Sequence, residues 1–318
     1  MGDDVRKIQE RLKSRGFYGG PVDGVSGRGT AAAVKAFQRT RGLKADGIVG
    51  PLTRKALFGE PAPGQDIRSK PIDYRCLALT GAFETGRGLP DCFAGLSGDF
   101  DGQGMSFGVL QWNFGQGSLQ PLLREMTERH PDIVQGIFRA NRDLLAAALD
   151  AGQAEQMAFA RSIQDPVRHL LFEPWRGMFQ ALSRTEAFQE IERKQARRIF
   201  RAALRSCGDY GLGSERAVAL MFDIRVQNGS IRDAVRSRIM TDFEEIPPDL
   251  PEPEREVRRM RIVANRRAEA ANPAWIADVR ARKLCIAEGR GVVHGIPYDL
   301  EGQFGIGLAR YGGPPADR

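Results

Sequence analysis

The fifteen residues Asp101–Gly115 read DGQGMSFGVLQWNFG, and they decide how the second part of this 318-residue chain is interpreted. The glycines stand close together, which is typical of a hairpin whose main chain approaches another group closely. Val109, Leu110 and Trp112 predict a short strand. Taken alone, the stretch indicates a structural β-hairpin. Whether it also has a catalytic role is indicated by the residues around it.

Upstream of the hairpin, CLALTGAFETGRG at 76–88 predicts a short apolar helix whose last turn carries Glu84 and which ends at Gly86. A carboxyl group at such a helix end is expected to be partly desolvated, and it then holds its proton more readily. Asp101, in a glycine-rich turn, is expected to stay hydrated and ionised. Two carboxyl groups in unlike surroundings are what glycoside hydrolysis requires. The structural alternatives are a surface glutamate and a turn-forming Asp-Gly.

Several polar residues near or beyond the hairpin are further candidates. Gln111, Trp112 and Asn113 are predicted to line a sugar groove, Trp112 by stacking on a pyranose face, with core packing as the alternative for the tryptophan. Asp223 and Asn228 either face the cleft or cap and pair within the fold. His294, in GVVHGIPYDL, is interpreted as a loop histidine with satisfied hydrogen bonds rather than a catalyst.

Within the first sixty residues the pattern DGxxGxxT occurs twice, as DGVSGRGT at 23–30 and DGIVGPLT at 46–53. Asp-Gly is typical of a turn, and each threonine is predicted to cap the helix that begins there. The repeat predicts a small three-helix domain over residues 1–59. Its apolar faces at helical spacing are formed by Val5, Ile8, Leu12, Ala33, Val34, Phe37 and Leu43.

Proline and glycine interrupt regular structure in FGEPAPGQDIRSKP at 58–71, which predicts a linker over residues 60–71. Residues 72–318 form the second predicted domain, with helix, loop and hairpin first. Helical periodicity dominates the remainder, as in SERAVALMFDIRVQ at 214–227. The predicted fold class is therefore mainly α, an α+β domain with one small hairpin that follows a three-helix domain.

The net charge of +7 is concentrated at the front, where residues 1–60 hold 12 Lys and Arg against 6 Asp and Glu. Such a domain can attract nucleic acid, anionic lipid or an anionic polymer such as a bacterial cell wall, and charge alone does not choose among them. Four widely spaced cysteines predict free core thiols, with a Cys76–Cys92 bridge as the alternative. Three histidines without an HExxH pattern disfavour a zinc hydrolase, so neither a metal nor a cofactor is expected.

The front domain resembles the bacterial peptidoglycan-binding module found in many cell-wall hydrolases. The matching elements are VRKIQERLKSRGFYGGPVDG, TAAAVKAFQRTRGL and ADGIVGPLTRKAL, between Val5 and Leu57. The resemblance implies that this domain binds peptidoglycan rather than nucleic acid. It assigns binding to the domain and not to named residues, because most of the matching positions build turns and helices.

The order of apolar helix, terminal glutamate, loop and Asp-Gly-x-Gly-x-Ser-x-Gly resembles the lysozyme superfamily, including phage lysozymes and bacterial chitosanases. The resemblance implies that Glu84 is the acid, Asp101 the base, and Ser106 the hydroxyl that positions the attacking water. SFGVLQ at 106–111 also resembles a signature of goose-type lysozymes and lytic transglycosylases, which rely chiefly on one glutamate. The transglycosylases usually have serine after that glutamate, whereas Thr85 stands here.

Together these features predict a peptidoglycan hydrolase of the muramidase type, which cleaves the β-1,4 bond between MurNAc and GlcNAc. The alternatives are a lytic transglycosylase that forms 1,6-anhydro ends, a chitosanase-like glycosidase, and a non-catalytic wall-binding structural protein. The start MGDDVRKIQERLK is unlike a signal peptide, and no apolar run reaches the length of a membrane span. We therefore expect a monomer made in the cytoplasm that reaches the wall after lysis or by non-Sec secretion, as a phage endolysin or an antibacterial effector with an immunity protein.

Overall fold

A computed structural model describes residues 2–41, 43, 45, 47, 49, 51–58 and 67–313. Contacts between residues divide the chain into two units, and most of the chain from Ile67 onward belongs to the second. Residues 60–66 of the predicted linker lie outside the described residues, whereas Ile67–Ser69 forms a 3-10 helix. The predicted domain bounds of 1–59, 60–71 and 72–318 stay predictions.

The first unit contains the three helices that the repeat predicts. They are α1 (Gly2–Ser14), α2 (Arg28–Thr40) and α3 (Pro51–Phe58). Their apolar faces meet in a small core, while Val5 and Leu43, which were also predicted to contribute, are half-buried. The buried hydrophobic residues of this core are Ile8, Leu12, Ala33, Val34, Phe37 and Leu57.

The first copy of the repeat is organised by a buried glutamine, Gln9. Its Nε2 donates to Thr30 Oγ1 over 3.1 Å, and its Oε1 accepts from the N–H of Gly24 over 2.8 Å. Thr30 is therefore not the cap of α2, because it lies inside the first turn and its hydroxyl is bound to α1. The Asp-Gly turn and the threonine are tied together by a side chain that the sequence interpretation did not single out.

The second copy repeats this arrangement with Gln38. Its Nε2 donates to Thr53 Oγ1 over 3.0 Å, and the N–H of Gly47 donates to its Oε1 over 2.9 Å. Gln38 is only 1% exposed, so both ends of its amide are satisfied inside the protein. The DGxxGxxT repeat is thus a repeat of one hydrogen-bonded cluster, which explains why glycine and threonine recur at the same spacing.

The second unit is mainly helical, with two small antiparallel sheets, as predicted for the fold class. None of the helices among the described residues is both long enough and apolar enough to cross a membrane. The helices are α4 (Ile72–Thr85), α5 (Gln120–Arg129), α6 (Pro131–Phe138), α7 (Arg142–Asp150), α8 (Gln153–Ser162), α9 (Trp175–Ser183), α10 (Glu186–Asp209), α11 (Glu215–Asn228), α12 (Asp233–Glu244), α13 (Glu252–Glu269), α14 (Ile276–Glu288) and α15 (Leu300–Phe304).

The predicted hairpin is a three-stranded sheet of very short strands, β1 (Leu96–Ser97), β2 (Ser106–Phe107) and β3 (Trp112–Asn113). Its strand order is β1-β2-β3. The strand predicted from Val109 to Trp112 is wrong in its first part, because residues 108–111 form the turn between β2 and β3. Positive φ angles of 88° at Gly108 and 56° at Gln111 give the chain its reversal there.

A second hairpin, β4 (Arg290–Val293) and β5 (Ile296–Asp299), occupies a segment that was interpreted as a loop. Its turn consists of His294 and Gly295, with φ angles of 50° and 77°. Two consecutive positive φ angles in a two-residue connection match the right-handed twist of antiparallel strands. The signal that was missed is the alternating apolar pattern on both sides of His-Gly.

Two hydrophobic clusters form the interior of the second unit. One gathers side chains between Met105 and Ile191, and the other joins α4 to α11, α13 and α14. The long helix α10 supports both, with Phe188 in the first cluster and Phe200 in the second. The hairpin sheet and the helix that ends in Glu84 are therefore built on one common support.

All four cysteines are buried and unpaired. Burial raises the pKa of Cys76 and of Cys92 well above the usual value of a thiol. The alternative of a Cys76–Cys92 disulfide is wrong, and the expectation of core thiols is the one that the structure supports.

Candidate active site

Glu84 projects from the end of a helix that is otherwise buried. In α4 every residue from Tyr74 to Phe83 is buried, whereas the Glu84 side chain is 41% exposed. The helix ends with Gly86 in the left-handed conformation, and its N–H donates to Ala82 O over 2.8 Å. The sequence thus places this carboxylate at the edge of the core, as predicted.

The surroundings of Glu84 differ from the apolar ones that were expected. Arg282, on α14, donates from Nη1 to Glu84 Oε1 over 2.6 Å, and its guanidinium lies 5.2 Å from the centre of the Phe83 ring. Arg282 itself is only 1% exposed. The carboxyl is therefore held in place by a buried cation, a partner nearly two hundred residues away that local sequence could not indicate.

Arg282 is fixed in turn by Asp223 of α11. Arg282 Nη2 donates to Asp223 Oδ1 over 2.6 Å and Nε donates to Oδ2 over 3.0 Å, while Thr80 of α4 donates to the same carboxylate over 3.2 Å. Lys283 also donates to Asp223. Arg282, Lys283 and Asp223 are each at most 1% exposed. Of the two interpretations of Asp223, pairing within the fold is the one observed.

The charged groups of this buried cluster shift one another's pKa values. Burial by itself would raise the pKa of Asp223, but the charges and hydrogen bonds of Arg282 and Lys283 hold it well below its usual range. Burial lowers the pKa of Lys283 to about 8, and the neighbouring Arg282 adds to that shift. Asp223 is therefore an ionised anchor for the guanidinium that contacts Glu84.

The helix that carries Glu84 lies directly against the hairpin. At Gly81, one turn before Glu84, an added Cβ would come within 2.4 Å of Cys92 O and 2.6 Å of Val109 Cγ2. Only glycine permits such an approach. The structure thus joins the end of α4 to the turn between β2 and β3, and it brings the two sequence segments of the candidate site together.

Asp101 is exposed at the start of the loop that leads into β2. Its Oδ1 accepts from the N–H of Gln103 over 3.1 Å, which is the turn-forming contact typical of Asp-Gly. Asp99, two residues earlier, binds the N–H of Gly104 and the Nε of Arg161 over 2.8 and 2.9 Å. Asp99 therefore stabilises the loop, and Asp101 is the carboxylate that the loop presents to solvent.

Ser106 lies in β2, opposite Ser97 on one side and Asn113 on the other, and it is 9% exposed. The neighbouring candidates take part in the hairpin. Gln111 Oε1 accepts from Ser97 Oγ over 3.1 Å and its Nε2 donates to Gly108 O over 2.9 Å. Asn113 is 7% exposed, and its Oδ1 accepts from the backbone of the turn after β3.

Trp112 is partly buried and packs against both hydrophobic clusters of the second unit. Its ring also approaches the main chain at Gly108, where an added Cβ would lie 3.0 Å away. Core packing therefore accounts for much of this side chain. The roles of these residues toward a sugar stay predictions.

The sequence interpretation did not find Glu192, a fully buried glutamate on α10. Its Oε1 accepts from the N–H of Val109 over 2.8 Å, whereas its Oε2 has no hydrogen-bond partner among the described residues. Burial raises the pKa of Glu192 well above its usual value, and the bond from Val109 opposes that shift only in part. A buried carboxyl with a raised pKa thus connects α10 to the hairpin turn; the available signal was a glutamate on the apolar face of a helix.

His294 and Asn228 have local partners. His294 approaches Phe83 O with Nδ1 over 3.3 Å and Asp278 Oδ1 with Nε2 over 2.5 Å, which agrees with a satisfied histidine. The main-chain oxygen of Asn228 accepts from Arg267 over 3.5 Å, whereas its side-chain Oδ1 is buried without a hydrogen-bond partner among the described residues. The His294 turn therefore lies beside the residue that precedes Glu84, although the histidine does not contact Glu84 through any hydrogen bond described here.

Comparison with known proteins identifies the front of the chain. Residues 1–57 match a family described as "Putative peptidoglycan binding domain". The N-acetylmuramoyl-L-alanine amidase CwlM of Mycobacterium tuberculosis is 51% identical over 57 residues, which are 18% of this chain and 14% of that protein. A spore cortex-lytic enzyme of Bacillus cereus is 50% identical over 56 residues, 18% of this chain and 22% of that protein.

Solved structures include a similar arrangement for the larger part of the chain. A family GH46 chitosanase from Gynuella sunshinyii, solved with chitotetraose, is 14% identical with a TM-score of 0.44 over 72% of this chain and 97% of that one. The chain spans less than a quarter of either curated relative. The chain thus contains an N-terminal peptidoglycan-binding domain, fused to a mostly helical second domain.

Proposed function

We propose that this protein is a cell-wall hydrolase in which the front domain binds peptidoglycan and the second unit cleaves its glycan strands. The family of residues 1–57 supports the first part. The names of the relatives, an amidase and a spore cortex-lytic enzyme, both describe enzymes. The observation that carries the second part is Glu84, an exposed carboxyl at the end of a buried helix, held by a buried arginine.

The proposed reaction is hydrolysis of the β-1,4 bond between MurNAc and GlcNAc. Arg282 contacts Oε1 of Glu84 and fixes the carboxyl, so Oε2 is the atom that would hold the proton for the leaving oxygen. Asp101, exposed and ionisable, would remove a proton from the attacking water, and Ser106 would help to position that water. An inverting enzyme of this kind needs its carboxyl groups about 6.5–9.5 Å apart.

The first test is Glu84→Gln, assayed by the release of fragments from purified sacculi. General acid catalysis contributes about 10²- to 10⁴-fold, so the variant should retain about 1% of activity or less. Glu288→Gln is the matched control, because Glu288 also ends a helix before a left-handed glycine and is paired with an arginine, Arg261. The control should stay within about twofold of wild type, since its carboxylate has no chemical step to perform. Equal losses in both variants would remove Glu84 from the reaction.

The products separate the hydrolase from the alternatives. Attack by water leaves ordinary reducing MurNAc ends, whereas attack by the substrate's own 6-hydroxyl leaves 1,6-anhydro ends that are lighter by one water. We expect reducing ends and an Asp101→Asn variant that is nearly inactive. Mass spectrometry of the digest measures both. Anhydro ends with an active Asp101→Asn variant would identify a lytic transglycosylase, and cleavage of chitosan alone would identify a chitosanase.

A further inference from the structure

An exposed aromatic side chain, Phe100, directly precedes Asp101 and is 68% exposed. The segment that contacts it through His169 carries three more exposed apolar residues, Val167, Leu170 and Phe172, which are 83%, 53% and 47% exposed. The last three belong to the segment between α8 and α9, here called the 163–172 loop. Soluble proteins seldom expose several large apolar side chains in one place unless that place binds something.

The 163–172 loop is held by its own hydrogen bonds. Asp165 Oδ1 accepts from the N–H groups of Val167 and Arg168 over 2.9 and 2.7 Å, and the N–H of Asp165 donates to Leu170 O over 2.9 Å. His169, at the tip, has a φ angle of 52°, a conformation that non-glycine residues adopt at a cost. The apolar side chains are therefore presented by an ordered loop.

The same loop is attached to the segment that carries Asp101. Gln164, 3% exposed, accepts from the N–H of Asp99 through Oε1 over 2.7 Å. At Gly98 an added Cβ would lie 2.2 Å from Gln164 Oε1 and 2.3 Å from His169 O. Because the two segments touch through their main chains, the position of His169 is set relative to the candidate base.

The tip of the loop meets Phe100 through its ring. The centroids of Phe100 and His169 lie 4.7 Å apart, with an angle of 49° between the planes. Much of the phenylalanine ring still faces solvent, and the next residue in the chain is Asp101. Arg168, exposed in the same loop, adds positive charge there, whereas Arg161 is paired with Asp99.

We propose that Phe100 and His169 form an aromatic subsite on which one pyranose ring of the glycan strand stacks, beside the ring whose bond is cut. The apolar C–H face of a sugar fits an exposed aromatic ring, and its hydroxyl groups remain at a polar rim. The positive charge of Arg168 suits the carboxylates of peptide stems. This subsite rests on the proposed function, since it lies one residue from the carboxylate assigned as the base.

The test compares Glu84→Gln with the double variant Glu84→Gln/Phe100→Ala, using a soluble glycan oligosaccharide and isothermal titration. The front domain is identical in both proteins, so a difference in Kd reports the second unit. We expect binding to weaken about three- to tenfold in the double variant. Phe100→Leu should weaken it similarly, whereas Phe100→Tyr should not, because stacking needs a ring and not only apolar area.

His169→Asn tests the second ring without straining the loop, since asparagine tolerates a positive φ better than most residues. In otherwise wild-type protein, both His169→Asn and Phe100→Ala should raise KM more than they lower kcat. Leu144→Ala, which alters an apolar residue on α7 that is 53% exposed, is the control and should change neither. Unchanged glycan affinity in the Phe100 variants, or full affinity with leucine, would overturn the subsite.

The experiments distinguish failure of the subsite from failure of the proposed function. If the wild-type protein releases no glycan fragments, the proposed hydrolase fails, whereas the titration still shows whether the aromatic residues bind the oligosaccharide. If cleavage is normal and the titrations of all variants coincide, only the subsite fails. If the Phe100 variants instead lose a protein that binds the wild-type chain, while their glycan affinity is unchanged, the subsite is also overturned. The surface would then bind a protein and not a sugar.

Discussion

Replacing Asp223 by asparagine removes one buried charge while keeping the shape of the side chain. Asp223 is the partner of both Arg282 and Lys283, and all three residues are buried. Loss of one partner of a buried ion pair costs about 3–5 kcal/mol, because the remaining charge is left without compensation. Lys283 can lose its proton, since burial already lowers its pKa to about 8, but Arg282 cannot. We therefore expect a loss of about 3–5 kcal/mol in the free energy of unfolding.

Asp223→Asn should also affect Glu84, the candidate general acid. Asparagine can accept only one of the two hydrogen bonds that Nε and Nη2 donate to the Asp223 carboxylate, so the Arg282 guanidinium is held less firmly where it contacts Glu84. Misplacement of a catalytic group by about 1 Å can cost on the order of 10²-fold in rate, so kcat should fall by about that factor at a temperature where the variant is still folded. KM should change less, because Asp223 is buried and does not meet substrate.

Urea unfolding and the sacculus assay measure the two effects, with Asp242→Asn as the control. Asp242 also accepts two hydrogen bonds from one arginine, Arg266, but both side chains are partly exposed, so a loss of about 0–1 kcal/mol is expected. The pKa of Asp223 is lower in the folded than in the unfolded protein, so its stabilisation is present above about pH 4 and is lost as pH falls further. A cost below about 1 kcal/mol, or full kcat, would refute the reasoning.

Two further predictions concern Glu192 and the front domain. Because burial raises the pKa of Glu192, its contribution to stability is complete below the unfolded pKa of about 4.3 and declines as pH rises toward the folded value. Glu192→Gln, which cannot ionise, should therefore unfold at a urea concentration that depends less on pH between 5 and 8; parallel pH curves would contradict this. Deletion of residues 1–60 should weaken pelleting with sacculi but leave cleavage of short soluble glycans nearly unchanged. Salt should imitate part of that loss, because the Debye length falls from ~10 Å at 0.1 M to ~3 Å at 1 M; undiminished pelleting would show that the wall is bound elsewhere.

Local patterns were sufficient for elements whose cause lies within a few residues. The helix of residues 76–85, the turn at Asp101 and the three front helices follow from apolar spacing and from Asp-Gly pairs, and all of them are observed. The boundaries of the short strands were less predictable. Gln111 adopts a positive φ, which its residue type does not predict, so β3 begins only after it.

The hydrogen bonds inside the front domain depend on contacts between helices, which local sequence patterns do not predict. Glycine and threonine recur in DGxxGxxT, and from the pattern alone a cap was the natural interpretation of the threonine. Its true partner is a glutamine on the preceding helix, twenty-one residues from Thr30 in the first copy. Such a pair becomes visible only when the helices have packed, because the distance along the chain carries no information about it.

The sequence by itself determined the family of residues 1–57, the mainly helical class of the second unit, and Glu84 and Asp101 as the carboxylates that end a helix and open a hairpin. Only the tertiary structure decided what surrounds them: Arg282 on Glu84, Asp223 beneath it, Glu192 under the hairpin turn, and His169 against Phe100. The physical reason is that propensity and hydrophobic periodicity act over a few neighbouring residues. The charge and the solvation of a site, in contrast, are set by side chains that arrive from distant segments when the core closes.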